Sequence, residues 1–342
     1  MTWGLLLEWF VKSLIIILGM TIGFAYVTLY ERKVLARMQV RIGPNRAGPF
    51  GFLQPVADGI KLIFKEELTP ANADKKIFVL APIITVIPAL IITAVVPWGE
   101  SFRLGGREIT LYLADVNVAT LYIMTVTSIS IYGITLAGWS SNNKYAAMGG
   151  LRATAQMISY ELALGLSLVG PIMLAGSMSL LDIVHGQQKL WYLFIQPIGF
   201  MLYFISSLAE VNRSPFDMPE AEQELTAGYH SEYSGMKFAL FFMAEYIKMI
   251  AVAMIGSTLF LGGFLSPLAF LSDLPVIGWL FASGPLWLLL KVGLWLFMFI
   301  WVRATLPRIR YDRLMALGWK VMFPIGLLNV VVTAIVIVLV GG

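Results

Sequence analysis

Long apolar runs are the feature of this sequence that most restricts its fold. Eight runs approach or exceed the roughly 20 residues that an α-helix needs to cross about 30 Å of hydrocarbon. They cover approximately residues 12–30, 77–98, 113–138, 155–176, 191–210, 237–262, 284–304 and 321–340. A chain inside a bilayer must satisfy its backbone hydrogen bonds internally, as a helix does. The sequence therefore predicts an all-α polytopic membrane helix bundle, in which residues 1–342 form a single integral membrane domain.

The composition agrees with a membrane protein and excludes a soluble globular enzyme. Hydrophobic residues make up 58% of the 342 positions and charged residues only 13%, about half the roughly 25% of a soluble domain. The absence of cysteine excludes disulfides, thiolate zinc sites and cysteine-ligated iron–sulfur clusters. The two histidines, His185 and His230, fall in predicted loops. We therefore expect the chain to bind no metal and to carry no redox cofactor of its own.

The basic residues predict the orientation of the chain in the membrane. They flank the apolar runs, which is typical of membrane topology and not of a nucleic-acid-binding surface. Eight spans place four loops on one side, and this side has 18 Lys and Arg residues against 4 on the other. These loops cover approximately residues 31–76, 139–154, 211–237 and 305–320. We expect them to face the cytoplasm, with the chain in the inner cell membrane. A weaker apolar run, residues 264–281, is predicted to be re-entrant or interfacial, with a ninth span as the alternative.

The first of these loops contains an amphipathic segment at residues 52–67. Its apolar side chains repeat with a helical period on one face, and polar side chains fall on the other. The apolar face has Leu53, Val56, Ile60, Ile63 and Phe64, and the polar face has Gln54, Asp58, Lys61 and Lys65. The pattern predicts a helix that lies at the membrane surface. Such a helix either anchors and packs the bundle or walls a site that is open to lipid.

Three carboxylates inside the predicted spans need an explanation. An acidic residue at a helix centre costs about 2.5–3.5 kcal/mol on insertion scales. Glu161, Glu210 and Glu245 lie in three different spans, and the alternating direction of the spans places all three toward the cytoplasmic ends. If the helices are neighbours, these residues form one hydrated acidic cluster that could relay protons. The structural alternative is that Glu245 pairs with Lys248, one turn further on, and that the others bond neighbouring helices.

The loop at residues 211–237 extends this cluster out of the membrane. Glu220, Glu222 and Glu224 supply three more carboxylates, and Arg213 and Asp217 bracket a tight turn. A solvated connector is the alternative interpretation of the loop. The outer halves of the three spans that carry Glu161, Glu210 and Glu245 contain no comparable carboxylates, so we expect this chain to hold only half of a proton path and the rest to lie in a partner.

Four stretches of the sequence resemble one known family. They are YERKVLARMQVRIGPNRAGPFGFLQPVADGIKLIFKE, GWSSNNKYAAMGGLRATAQMISYE, AEVNRSPFDMPEAEQELTAGYHSEYSGMKFALFFMAEY and RATLPRIRYDRLMALGWK. In this order they are similar to the signature stretches of the H-type membrane subunit of respiratory complex I, the homologue of mitochondrial NADH dehydrogenase subunit one. The resemblance covers nearly the whole chain.

The resemblance implies a subunit that forms much of a quinone passage and couples quinone reduction to proton pumping. It implies that quinone is the substrate and that FMN and the iron–sulfur clusters are bound by partner subunits. The expected partners are the hydrophilic subunits at the quinone site, small membrane subunits and lipid, with no nucleic acid. The implied passage residues are Glu31, Arg32, Arg41, Asp58, Arg213, Phe216 and Asp217. The implied relay residues are Glu161, Glu210, Glu245, Glu220, Glu222 and Glu224.

Three other functions stay open at the level of the sequence. The same module could serve a related assembly that uses another electron donor or a membrane-bound hydrogenase. A secondary transporter or ion channel would also explain carboxylates in the membrane, but it typically shows two similar halves around a site at the midplane. We find no such repeat. An assembly scaffold would not need buried ionisable residues.

Overall fold

The computed structural model describes residues 3–104, 107–217, 228–268 and 281–341. Twelve α-helices occur in this part of the chain. The first six are α1 (Trp3–Met38), α2 (Gln54–Phe64), α3 (Lys75–Ile91), α4 (Ala119–Ser140), α5 (Lys144–Ala175) and α6 (Leu180–His185). The others are α7 (Tyr192–Ile195), α8 (Pro197–Glu210), α9 (Gly235–Phe260), α10 (Pro285–Thr305), α11 (Tyr311–Ala316) and α12 (Phe323–Gly341). The π-helical segment Leu317–Met322 joins α11 to α12.

The membrane helix bundle predicted from the sequence is confirmed. Seven helical segments in the described part of the chain are long and apolar enough to cross a membrane. They are Leu6–Met38, Lys75–Val95, Ala119–Ser140, Lys144–Ala175, Gly235–Phe260, Pro285–Thr305 and Tyr311–Val340. Residues 269–280, most of the weaker apolar run, lie outside the described residues.

The predicted span at residues 191–210 is divided into the short helices α7 and α8. The backbone leaves the helical region at Gln196, and Pro197 then starts α8, since proline at the first helical turn loses no intrahelical bond. The 14 residues of α8 are fewer than a straight span needs. The chain from Gln187 through α8 runs antiparallel to the second half of α9. Gln187 donates to the carbonyl of Thr258 at 2.8 Å before α7, and Tyr203 donates to that of Val252 at 2.8 Å within α8.

Helices extend further into the predicted loops than their apolar runs indicate. The first helix continues to Met38, so Glu31 and Arg32 belong to α1 and not to a loop. The fifth begins at Lys144 because the side chain of Asn143 accepts the backbone N–H of Tyr145 at 3.0 Å. The surface helix predicted at residues 52–67 occurs as α2, with Gln54 as its first residue.

One feature departs from the all-α expectation. The segment between α3 and α4 contains a two-stranded antiparallel hairpin, β1 (Ser101–Leu104) and β2 (Arg107–Thr110), with Ser101 opposite Thr110. The ammonium of Lys12 on α1 donates to the hydroxyl of Thr110 at 2.9 Å. The hairpin therefore attaches the segment between α3 and α4 to the first half of α1.

Small residues allow the central helices to approach closely. A Cβ on Gly133 of α4 would lie only 2.9 Å from the carbonyl oxygen of Ala81 on α3. Small residues at helix contacts are typical of membrane bundles, where backbone approach replaces the hydrophobic effect as the source of packing energy. The residues of α9 from Tyr246 to Phe260 are buried without interruption. This helix therefore lies at the centre of the bundle, and it positions the residues of the site.

Candidate functional site

Glu31 on α1 is the first member of a buried ionic network. Only 4% of this residue is exposed. Its Oε1 contacts a guanidinium nitrogen of Arg303 from the end of α10 and lies 3.4 Å from Nη1 of Arg213. The hydroxyl of Tyr246 donates to its Oε2 at 2.8 Å. Because a buried carboxylate is stable only when it is paired and hydrogen-bonded, these contacts explain how Glu31 is accommodated.

Arg213 connects Glu31 to Glu245. Its Nε lies 2.8 Å from Oε1 of Glu245, and its guanidinium stacks 4.3 Å from the ring centre of Tyr246. A turn places it there, since Asn212 adopts a positive φ of 53° and the N–H of Arg213 donates to the carbonyl of Leu208 at 3.2 Å. One guanidinium thus bridges two carboxylates on different helices. Arginine suits this role because its donors are arranged in a planar fork.

Lys248 pairs with Glu210 and not with Glu245, so the pairing considered from the sequence is wrong. Its ammonium lies 2.5 Å from Oε1 of Glu210 and 3.3 Å from the hydroxyl of Ser130. The physical reason is the position of Arg213, which already pairs with Glu245. Glu210 is 1% exposed, and its Oε2 has no hydrogen-bond partner among the described residues.

A small cavity joins these two pairs. It has a volume of about 40 Å³, and Glu210, Glu245, Lys248, Ser130 and His230 contribute to its lining. Since one water needs roughly 10–15 Å³ of such volume and several polar partners, the cavity has room for about three waters. The structure therefore brings two of the predicted relay carboxylates to one cavity.

Glu161 lies on the side of the bundle, away from this cavity. It accepts a hydrogen bond from the hydroxyl of Ser128 and lines an open lateral groove of about 490 Å³, to which α4, α5 and Phe323 contribute. Glu161 thus lies at an open face of the bundle and not at the cavity of Glu210 and Glu245. Glu220, Glu222 and Glu224 lie outside the described residues.

The formal charges of the buried network cancel among the residues that the structure describes. Three carboxylates there pair with three cations. The carboxylates are Glu31, Glu210 and Glu245, and the cations are Arg213, Lys248 and Arg303. Balanced and hydrogen-bonded charges are the form in which ions are tolerated in a low-dielectric interior.

The surface helix α2 is attached through its polar face. Asp58 accepts from Nη1 of Arg32 on α1 at 2.7 Å and from Gln54 at 3.2 Å. The apolar face is exposed, with 54% of Val56 and 61% of Ile63 accessible. The structure therefore brings together the predicted passage residues Arg32 and Asp58, and it leaves an apolar wall open.

The remaining predicted passage residues occupy three different surroundings. Arg41 donates to the side chain of Gln39 at 2.7 Å and lines an open, basic groove beyond the end of α1. Phe216 is buried against Tyr160, with ring centres 5.4 Å apart. Asp217 lies 4.0 Å from Arg308. Arg213 is the passage residue that also belongs to the buried network.

The far end of the loop between α8 and α9 is held by an aromatic anchor. Tyr233 stacks on Phe78 with ring centres 4.0 Å apart and donates to the carbonyl of that residue at 3.2 Å. Burial raises the pKa of its hydroxyl to about 12, although the hydrogen bond with Ser140 lowers it. Tyr233 therefore stays protonated under physiological conditions. Arg213 and Tyr233 fix the two ends of this loop to the bundle.

Sequence reasoning missed several residues of the site. Tyr246 directly follows Glu245, and Arg303 lies at the end of an apolar run, where a basic residue by itself indicates only topology. Ser128 and Ser130 carry no recognisable signal. In the described part of the chain, no group of three or more His, Cys, Asp or Glu residues could hold a metal ion.

The fold and the site together define a class of protein. It is a multi-pass membrane protein whose helix bundle encloses a balanced network of ions next to an amphipathic surface helix. The comparisons with known proteins identify the family. The family model described as NADH dehydrogenase matches residues 11–334. The chain therefore belongs to the NADH dehydrogenase family.

Curated relatives give the same assignment over nearly the whole chain. The NADH-quinone oxidoreductase H subunit of Thermomicrobium roseum is 51% identical over 332 residues, which cover 94% of each chain. The protein of the same name from Protochlamydia amoebophila is 52% identical over 310 residues, 91% of each chain. The one from Syntrophotalea carbinolica is 49% identical over 326 residues, which cover 94% of this chain and 95% of the relative.

Proposed function

We propose that this chain is the quinone-passage and energy-coupling membrane subunit of a proton-translocating NADH:quinone oxidoreductase. The observation that carries the proposal is the series of buried contacts from Glu31 through Arg213 to Glu245, and across one cavity to Glu210. The names of the relatives indicate the reaction of the whole complex. Through this series of contacts, a change of charge at Glu31 on α1 would affect Glu245 and Glu210 inside the bundle.

The passage would follow the exposed apolar face of α2. A quinone has a long apolar tail and a polar head, so it needs an apolar wall that is reachable from lipid and a few polar groups that guide the head. The helix α2 contacts both α1 and α9 and offers such a wall. Arg32 and Asp58 lie beside it, and Glu31, the neighbour of Arg32 in the chain, belongs to the buried network. Adjacent residues of one helix would thus connect the passage to the relay.

The relay would respond to charge at Glu31. Reduction of a quinone to a quinol consumes protons as well as electrons, so the charge near the head group changes during the reaction. Arg213 bridges Glu31 and Glu245, and a change at the first carboxylate therefore alters how strongly the guanidinium holds the second. A proton on Glu245 would then pass through the cavity to Glu210 and on to Glu161, whose lateral groove would face a partner. We place Glu220, Glu222 and Glu224 at the aqueous end of this relay.

The proposal includes partners and an orientation. The hydrophilic subunits would carry FMN and the iron–sulfur clusters and would cover the loops on the cytoplasmic side of the inner membrane, among them the GPNR and EAEQEL loops. A small membrane subunit would cover the groove at Glu161. The 18 Lys and Arg residues on one side support this orientation.

Two variants of the assembled complex test the passage. Asp58→Leu removes the carboxylate that attaches α2 to Arg32, so we expect NADH:quinone activity to fall. NADH oxidation by a soluble artificial acceptor should continue, because the redox arm is untouched. Lys65→Met, at the exposed end of the same helix, is the matched control. Unchanged quinone kinetics in Asp58→Leu would reject the passage along α2.

A second pair of variants tests the relay. Glu245→Gln keeps the size of the side chain but removes its titratable proton, and we expect proton pumping to be lost. Glu66→Gln, an exposed position, is the control. Normal pumping by an assembled Glu245→Gln complex would reject the relay and would leave a structural role for the network.

A further inference from the structure

Lys248 is a buried cation to which neither the resemblance nor the relatives assign a role. It projects from α9 between two other helices, with its ammonium 2.5 Å from Oε1 of Glu210 on α8 and 3.3 Å from the hydroxyl of Ser130 on α4. The residue is 8% exposed. It also lines the cavity that Glu210 shares with Glu245. Lys248 therefore lies between two carboxylates of the proposed relay.

Burial makes the ionisation of Glu210 depend on the cation beside it. A buried carboxylate without a cation becomes neutral by taking up a proton, because the ionised form loses its hydration. The ammonium of Lys248 contacts one oxygen of Glu210, whereas the other oxygen, Oε2, has no hydrogen-bond partner in the described part of the chain. The pairing therefore compensates the charge of Glu210 and occupies only one of its two oxygens.

We propose that Lys248 is a positioning residue that keeps Glu210 ionised at rest, so that Glu210 is the proton-accepting member of the relay. This inference rests on the proposed proton-relay function. In the step that it implies, an O–H bond of protonated Glu245 breaks, and its proton passes through water of the cavity that both residues line to the carboxylate of Glu210, where a new O–H bond forms. Glu245 is left as a carboxylate beside Arg213, and Lys248 keeps its own protons.

The charged and titratable groups around Glu210 agree with this assignment. The only cation that contacts Glu210 in the described structure is Lys248. The other groups around it are two carboxylates, two hydroxyls and one histidine. They are Glu245 of α9, Glu161 of α5, Ser130 of α4, and His230 and Tyr229 of the turn before α9.

The test uses four variants of the assembled complex in membrane vesicles. They are Lys248→Met, Lys248→Arg, Glu210→Gln and the double variant Lys248→Met with Glu210→Gln. The measurements are the amount of complex, the NADH:quinone rate and proton pumping, each as a function of pH. Lys291→Met is the matched control, since this buried lysine bonds the carbonyls of Gly263 and Leu265 at the other end of the bundle.

We expect Lys248→Met to lose pumping by about tenfold or more near neutral pH, because the unpaired Glu210 holds a proton. Activity should recover at alkaline pH, where that proton is lost. Lys248→Arg should keep the profile of the unmodified complex, and Lys291→Met should not shift it. The double variant should assemble, since both charges are removed together, but should not pump at any pH.

Two results would overturn the inference. One is a Lys248→Met complex with the unmodified pH profile, and the other is a double variant with normal pumping, which would make the pair purely structural. If Lys248→Met does not assemble, normal pumping by the assembled double variant still overturns the inference, and Lys248→Arg tests it through the pH profile. Normal pumping in Glu210→Gln alone would instead refute the place of Glu210 in the proposed function. Loss of pumping in Glu210→Gln together with an unshifted Lys248→Met refutes only the inference.

Discussion

Replacement of Arg213 by methionine should destabilise the bundle more than any exposed arginine replacement does. Methionine fills most of the space but removes the cation that lies 2.8 Å from Glu245 and 3.4 Å from Glu31. Arg303 still contacts Glu31, whereas Glu245 loses the guanidinium that lies 2.8 Å from it. Removing one partner of a buried ion pair costs about 3–5 kcal/mol, because the other charge stays in a low dielectric. That is a factor of roughly 10² to 4 × 10³ in an equilibrium constant.

The chain offers a matched control with the same ion-pair distance. Nε of Arg310 lies 2.8 Å from Asp312, but its side chain is 80% exposed. An exposed pair contributes only about 0–1 kcal/mol. We therefore expect Arg310→Met to leave the complex as heat-resistant as the unmodified form. The assay is the amount of intact complex that remains after heating over a range of temperatures.

A double replacement separates the loss of charge balance from the loss of packing. Arg213→Met combined with Glu245→Gln removes both partners and should recover much of the heat resistance. Arg213→Lys keeps the charge but loses the planar fork and the stacking on Tyr246, so it should fall between the two. If Arg213→Met is as heat-resistant as Arg310→Met, the network does not stabilise the bundle and the argument fails.

Three other predictions follow from separate features. Glu161→Gln should assemble, because Ser128 can still bond the amide, but it should pump fewer protons per quinone reduced; a normal ratio would contradict the role of the lateral groove. In this cysteine-free chain, cysteines at the exposed positions Asn45 and Gln188 should react with impermeant reagent from opposite sides of the membrane, and labelling from one side would disprove the topology. Gly133→Ala should destabilise the bundle by about 1–3 kcal/mol through overpacking, and the assay is its melting temperature. Gly293→Ala, at a position with open space around an added Cβ, should leave the melting temperature unchanged.

Helices whose sequence pattern lies within one continuous segment could be predicted. Apolar length identified the membrane helices, and the helical period identified α2, because each signal repeats along a continuous stretch. The break at Gln196 could not be predicted with them. Pro197 is compatible with a kink, a helix end or a helix start, and only contacts of α8 with α9 select the last.

Partners within the site could not be predicted, because they come from distant parts of the chain. The distance along the sequence from Arg213 to Glu31 is 182 residues, and from Arg303 to Glu31 it is 272 residues. Local spacing instead favoured Glu245 with Lys248, which are one helical turn apart. The structure exchanges these partners, since Arg213 reaches Glu245 from the loop and Lys248 reaches Glu210. The presence of glutamates in apolar spans predicted a site of buried carboxylates. Tertiary packing determines which cation pairs with each of them.

The chain reversal after α8 is enclosed by protein, with Val211, Arg213 and Phe216 each no more than 4% exposed. Gln156 satisfies its backbone by donating to the carbonyls of Ala209 and Phe216 at 2.9 and 2.7 Å. Dissolved ions screen exposed charges over about 10 Å at 0.1 M salt but act much less on buried ones. The enclosed reversal therefore shields Arg213 from the medium, and salt weakens its attraction to Glu31 and Glu245 much less than it weakens that of an exposed ion pair.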